Sequence, residues 1–198
     1  MIKRDFDFIV AGMGLIVLAI FLAIIALLIK ITSKGPVFFR QERVGLNGKI
    51  FRIHKFRTMV VDAESIGPKI TIGADSRITK FGRILRKTKL DELPQLIDVL
   101  LGNMSLVGPR PEVPEYVAIY PAVAREQVFS VRPGITDWAS IQMIDENQLL
   151  AASANPKEAY IKEVMPQKLA IALKYVATQS FTQDLKIIWM TLLRLVKR

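Results

Sequence analysis

Two adjacent carboxylates, Asp91 and Glu92, stand in a concentration of cations. Arg83, Arg86, Lys87 and Lys89 precede them, and Arg110 follows in Gly108-Pro109-Arg110-Pro111. These residue types together suit chemistry on a phosphate ester. A carboxylate can attack phosphorus as a nucleophile. Its neighbour can hold a divalent cation that neutralises phosphate oxygens, and arginine can grip the same oxygens through a bidentate fork. Pro109 and Pro111 stiffen the loop that carries Arg110, so less entropy is lost in aiming it. The competing reading is structural: acidic residues at helix starts commonly stabilise the helix alone, and clustered cations commonly form a solvated face or one that touches anionic lipid.

Weaker candidates surround this cluster. Lys55 and Arg57 alternate with an aromatic in Lys55-Phe56-Arg57-Thr58-Met59, a pattern that suits a nucleotide site and equally a half-buried strand end. Arg132-Pro133-Gly134 is a second stiff basic turn, without an acidic companion. His54, the sole histidine, reads by default as a surface or hydrogen-bonded strand residue. Asp75 and Arg77 read most simply as a mutual pair.

The elements that must position these residues are partly legible. Leu93, Leu96, Ile97, Leu100 and Leu101 follow the spacing of one helix face, Gly102-Asn103 supplies a stop, and Pro94 fits the first turn. This places Asp91 and Glu92 at the entrance of one helix. Val37–Val44 and Ile50–Phe56 flank Asn47-Gly48, a pair suited to a tight turn, and predict a β-hairpin. Residues 62–80, rich in Gly, Ser, Thr and charge, predict a long surface loop. Helix is expected between Lys157 and Gln179, interrupted at Pro166, and again from Asp184 to the C-terminus. In that last helix Leu185, Ile188, Trp189, Leu192, Leu193 and Val196 share a face, while Lys186, Arg194, Lys197 and Arg198 lie elsewhere. Such a helix suits a membrane interface or an ordinary core.

From Phe8 to Ile29 there are 22 consecutive uncharged residues, enough as a helix to cross a hydrocarbon layer of about 30 Å. A cleaved signal would have a shorter apolar core and an A-x-A-like site, which is lacking here. Lys3 and Arg4 before the run, and Lys30, Lys34, Arg40 and Arg43 after it, place positive charge at both ends. That favours a segment whose two ends face the same, cytoplasmic side. Gly12 and Gly14 are positions where such a helix could loosen.

The 198 residues allow one domain plus an appendage. A hydrophobic content of 51% excludes disorder, and 23% charged residues exclude a multispan membrane protein. The net charge of +10 favours anionic partners. With no cysteine and one histidine, thiolate catalysis and Cys/His metal clusters are excluded, leaving carboxylates and a hard ion such as Mg²⁺.

Taken together, several ordered segments resemble the monotopic phosphoglycosyl transferases, small bacterial sugar transferases. They are the apolar N-terminal run, Gly35-Pro36-Val37-Phe38-Phe39-Arg40-Gln41 with Arg43-Val44-Gly45, Lys55-Phe56-Arg57-Thr58-Met59, Asp75-Ser76-Arg77-Ile78-Thr79, Leu90-Asp91-Glu92-Leu93-Pro94-Gln95, Gly108-Pro109-Arg110-Pro111 and Arg132-Pro133-Gly134-Ile135-Thr136. The resemblance implies transfer of a sugar 1-phosphate from a UDP-sugar to polyprenol phosphate in two covalent steps with Mg²⁺ and release of UMP. It implies Asp91 as nucleophile, Glu92 as metal ligand, and Lys55, Arg57, Arg86, Gln95, Pro109, Arg110, Pro111 and Arg132 as substrate-binding residues.

The expected fold is α+β and mainly helical. A re-entrant membrane helix over residues 1–31 precedes a catalytic domain over 32–198, with a small β-hairpin and amphipathic interfacial helices. The expected setting is the cytoplasmic face of the bacterial inner membrane, with the lipid bilayer as partner, no nucleic acid, and a homodimer left open. Three departures from the family pattern stand out. Ala19-Ile20 occupies the place of a Ser-Pro break, residues 137–144 replace a stretch that ends in arginine, and a further acidic position is absent near Ala172. The rival from another class is a non-catalytic, membrane-tethered basic module, which requires no particular arrangement of Asp91, Glu92 and Arg110.

Overall fold

The uncharged run forms one uninterrupted helix, α1 (Ile2–Thr32), with no break at Ala19-Ile20. The computed structural model describes residues 2–67, 75–143 and 146–196. Residues 68–74 of the expected loop, Ile144, and Lys197 and Arg198 of the expected basic helix end lie outside them, as does the Val196 side chain. The chain is mainly helical with few short strands.

After α1 come β1 (Phe38–Phe39), β2 (Glu42–Val44), β3 (Ile50–Arg52) and β4 (Lys55–Phe56). The expected hairpin forms as two antiparallel ladder segments in one continuous register, with Glu42 opposite Arg52 and Phe39 opposite Lys55. Its turn works as the sequence indicates: Asn47 (φ 54°) and Gly48 (φ 75°) both take the left-handed conformation. A short helix α2 (Ala63–Ile66) then leads towards α3 (Lys80–Thr88), whose first turn is capped by Thr79.

The single helix expected to begin at Asp91 is divided. Leu90–Glu92 is a 3₁₀ turn, and α4 runs from Gln95 to Leu100. Pro94 offers no N–H for a bond one turn back, so the backbone tightens, with Leu93 N on Leu90 O at 3.3 Å and Leu96 N on Leu93 O at 3.1 Å.

The remainder comprises β5 (Ser105–Val107), α5 (Pro114–Val117), α6 (Ala122–Val128), β6 (Gly134–Thr136), α7 (Trp138–Gln142), α8 (Glu146–Ala152), α9 (Pro156–Ala159), α10 (Met165–Thr178) and α11 (Phe181–Val196). The expected interruption at Pro166 appears as a wide turn over Tyr160–Val164, in which Met165 N bonds Tyr160 O. β5 and β6 pair in parallel, Ser105 opposite Gly134, which brings the Gly108 and Arg132 turns together. On α11 the buried residues are Asp184 and Ile187. Trp189 (63% exposed), Leu192 and Leu193 face outward, so the apolar face is mostly not core.

The main core gathers Val99, Met104, Val107, Ile141, Tyr175 and Ile187, and includes Ala11 of α1. A second cluster joins Ile25 and Ile29 of α1 to Phe56 and Leu85. Helix α1 is thus packed on the domain at both ends. At its start Lys3 Nζ donates to Asp184 Oδ2 (2.5 Å) and Val107 O (3.0 Å), Arg4 donates to Val99 O (2.8 Å), and buried Asp7 accepts from Ser105 Oγ (2.6 Å). Gly12 and Gly14 do not break the helix. They form a flat face against Leu100 and Leu96 of α4. The opposite stripe, with Ile9, Met13, Ile16, Val17, Ile20, Ile24 and Ile31, is exposed.

Gly82 lets α3 lie directly on the strand end after β4, where Thr79 N meets Thr58 O at 2.9 Å; a Cβ at Gly82 would stand 2.1 Å from that oxygen. Gly82→Ala is expected to cost about 1–3 kcal/mol, or about 2–4 °C of melting midpoint per kcal/mol for a chain of this size. Gly12→Ala, whose Cβ meets nothing nearer than 3.8 Å, should melt close to the parent. Thermal melts in one detergent decide both.

Candidate active site

Lys89 ends α3 in a left-handed conformation (φ 60°), and this sharp turn delivers Asp91 and Glu92 on the following 3₁₀ turn. The two carboxylates meet different surroundings. Glu92 Oε1 receives Lys55 Nζ at 2.7 Å from β4 and an Arg110 guanidinium nitrogen at 2.5 Å, while Oε2 receives another from Arg110 at 3.3 Å. Asp91 is 7% exposed, and its Oδ1 is buried with no hydrogen-bond partner among the described residues.

The electrostatics follow from that difference. Burial pushes the Asp91 carboxyl up and Lys55 opposes it; Glu92 adds to the rise while Lys89 and Arg86 counter it, and the net shift is upward. Burial also acts on Glu92, but Arg110, Lys55 and Lys89 together hold it well below the usual carboxylate range. Burial lowers the Lys55 ammonium, with Glu92 offsetting part of the loss.

A second layer supports the Arg110 loop. Arg43 donates to Pro111 O (3.0 Å) and to Gln41, and pairs with Glu112 at 3.6 Å; Tyr160 donates its hydroxyl to Glu112. Arg86 donates from Nε to Thr58 Oγ1 at 2.8 Å, and its pKa, lowered chiefly by burial, is next most affected by Asp91. Beside the turn, an apolar cleft of about 250 Å³ opens between α1 (Ala19, Leu22, Ala26), the hairpin (Phe38, Phe56) and Pro94.

The whole chain, residues 1–198, matches the model of a family described as bacterial sugar transferase. The chain belongs to that family. An undecaprenyl-phosphate glucose phosphotransferase of Komagataeibacter xylinus is 37% identical over 97% of this chain and 35% of its own length. A UDP-glucose:undecaprenyl-phosphate glucose-1-phosphate transferase of Escherichia coli K12 is 36% identical over 98% of this chain and 40% of its own. An exopolysaccharide production protein of Rhizobium leguminosarum is 40% identical over 96% of this chain and 92% of its own. The chain therefore spans well under half the length of the first two relatives, and nearly the whole of the third.

Of the residues singled out in the sequence, Lys55, Asp91, Glu92 and Arg110 meet, and Arg86 flanks them. Gln95 lies one turn beyond Asp91 on the same side, 1% exposed, with its Nε2 unpartnered among the described residues. Pro109 and Pro111 contribute carbonyls, to Gly134 N (3.0 Å) and Arg43. Arg132 donates to Gly102 O at 2.9 Å, beyond the end of α4. Arg57 commits its guanidinium to the carbonyls of Pro36, Lys34 and Ser33, where it closes the end of α1. Asp75 and Arg77 form the mutual pair expected, with Nη2 at 2.6 Å from Oδ2. The sequence reading gave no site role to Arg43, Glu112 or Tyr160. Arg43 lies inside one of its motifs and Glu112 adjoins another, but no local signal marks Tyr160.

The upward shift of Asp91 means that its ionised form opposes folding at neutral pH, a cost that shrinks as pH falls through its folded pKa and is gone below the ordinary aspartate value. Asp91→Asn should therefore melt above the parent near pH 7, by about 2–4 °C if the cost is about 1 kcal/mol, and the gap should close on acidification. Glu92→Gln removes the charge that pairs with Lys55 and Arg110 and should lose about 3–5 kcal/mol. Melting curves across pH test both signs.

Proposed function

We propose that this protein is a phosphoglycosyl transferase that moves a sugar 1-phosphate from a UDP-sugar to polyprenol (undecaprenol) phosphate. The observation that carries this reading is the buried, unpartnered Asp91 oxygen beside a carboxylate clamped by Lys55 and Arg110. The polyprenol-phosphate transferase names of two relatives support the same substrate classes.

In the first step an Asp91 oxygen attacks the sugar-linked phosphorus. The bond from that phosphorus to the bridging oxygen breaks, and UMP departs with the electron pair. In the second, a phosphate oxygen of the polyprenol phosphate attacks the aspartyl-bound phosphorus, and the acyl phosphate bond breaks to return the Asp91 carboxylate. Lys55, Arg86 and Arg110 supply positive charge along this path, most useful where water is excluded. The buried, unpartnered carboxylate oxygen and the adjoining Glu92 are hard donors that fit Mg²⁺, an ion commonly held by one or two carboxylates together with substrate phosphates. Glu92 would hold it. When bound, the ion would neutralise phosphate oxygens and assist departure of UMP.

The polyprenyl chain is assigned to the apolar cleft beside Pro94. For the membrane, the reading is that both ends of α1 stay on the cytoplasmic side of the inner membrane, with the unbroken helix lying along its surface layer. Lys3, Arg4 and Asp7 at one end and Ile25 and Ile29 at the other all contact the same domain, which supports this placement. The exposed stripe of α1, with Trp189 and Leu192 of α11, supplies the lipid-facing surface.

UMP release from UDP-sugars with Mg²⁺ and undecaprenyl phosphate should fall by at least about 10³-fold in Asp91→Ala, and intact mass should show a phosphosugar adduct on the parent before lipid is added. Because ionised Asp91 is the reactive form and its pKa is raised, the rate should drop as pH falls through a value above the ordinary aspartate range. Persistent release in Asp91→Ala would remove the nucleophile assignment. Ile2→Cys and Lys34→Cys should label from the same face of a vesicle; opposite faces would overturn the membrane placement.

A further inference from the structure

Asp98 is fully buried (0% exposed) on α4, and both of its oxygens face one residue. His54 donates its backbone N–H to Oδ2 at 2.7 Å, and its Nδ1 lies 2.8 Å from Oδ1. His54 stands where the hairpin ladder is interrupted, between β3 and β4. There Ile53 N bonds Gln41 O within the hairpin, but the His54 amide turns outward to α4. The next residue is Lys55, which crosses to Glu92. Two links therefore join the same two pieces of chain, Asp98 to His54 and Glu92 to Lys55, and they close a ring through the backbone of each. Asp91 on the 3₁₀ turn and Gln95 and Asp98 on α4 are all buried, so the carboxylate that grips the hairpin sits on the helix that directly follows the Asp91 turn. Phe38 sets its ring edge-on to His54, with centroids 6.1 Å apart, and limits the imidazole from the other strand.

We propose that His54 and Asp98 are positioning residues for the transfer reaction: their bidentate contact fixes the interrupted hairpin on α4 and so sets the reach of Lys55 to Glu92. The role rests on the proposed function only for its kinetic consequence. Without the contact, the hairpin pivots about its remaining ladder bonds, and a long ammonium side chain no longer meets a carboxylate that the opposite element holds in place. Asn in place of Asp98 keeps the shape, and its amide can still accept from the His54 N–H while donating to an unprotonated Nδ1. Leucine keeps the approximate volume and offers neither bond.

The test uses full-length protein in nanodiscs and three variants, Asp98→Asn, Asp98→Leu and His54→Phe. The first readout needs no enzymatic activity: acetylation of Lys55 by a water-soluble acylating reagent, followed by mass spectrometry, reports its protection. Expected are parent-like labelling in Asp98→Asn and acceleration of about tenfold or more in Asp98→Leu and His54→Phe. The second readout is UMP release, where kcat per folded molecule should fall about tenfold or more in the latter two while KM for the UDP-sugar stays within about threefold. Asp98→Asn should retain most of kcat. A lowered melting midpoint with unchanged Lys55 labelling and unchanged kcat would overturn the proposal, as would accelerated labelling without loss of kcat. Should the parent release no UMP from any UDP-sugar, the proposed function fails, and Lys55 labelling still decides whether the ring positions it.

Discussion

One carboxylate ties the site together. Glu92 receives Lys55 from the hairpin and Arg110 from the loop after β5, so three segments distant in the chain converge on its two oxygens. Each cation also repels the other, and the carboxylate between them offsets that repulsion in a buried setting. The supporting bonds serve this convergence. Arg43 and Glu112 brace the Arg110 loop, His54 and Asp98 brace the hairpin, and the parallel pairing of β5 with β6 sets where the loop begins.

Helix α1 is constrained in a similar way. A long apolar helix could hang from its domain by a linker, but here Lys3, Arg4 and Asp7 tie its start to polar groups of the domain and Ile25 and Ile29 pack its last turns on apolar ones. Asp7 and Ala11 belong to the interior of the domain, as do Ile25 and Ile29. The apolar run therefore has two duties along its length, one face towards α4 and one left open, and Gly14 allows the close approach of Leu96 on the inner face. The cleft beside Pro94 arises at this joint, which places an apolar surface within one short turn of the charged pair.

Much of this was legible in the amino-acid sequence where the signal is local. Asn47-Gly48 announces its turn, the uncharged run announces α1, and the acidic pair among cations announces the site. Lys55 and Arg110 also stood in short motifs. What was not legible depends on long-range contacts. Arg57 looks as suitable for phosphate as Lys55, two residues away, and only the fold shows that its donors close the end of α1. Arg132 similarly serves the carbonyl of Gly102. Pro94 read as compatible with a first helical turn, but its missing N–H instead divides the helix and leaves the dyad on a tighter 3₁₀ turn. The partners of His54 and Tyr160 lie more than forty residues away in sequence, beyond any local pattern.

The division of labour proposed for Asp91 and Glu92 rests on their surroundings rather than on their side-chain types. A nucleophile should be weakly solvated and free of strong donors, because each hydrogen bond to its lone pairs must be given up or weakened during attack. Asp91 meets that condition on one oxygen, and burial, with Glu92 beside it, pushes its pKa up. A charge-holding residue should be the reverse, ionised under all working conditions and surrounded by cations, and Glu92 is driven that way by Arg110 and Lys55. Lys55 and Arg110 donate to position 92, so the two environments push the neighbouring acids apart, and the proposed roles rest on that difference.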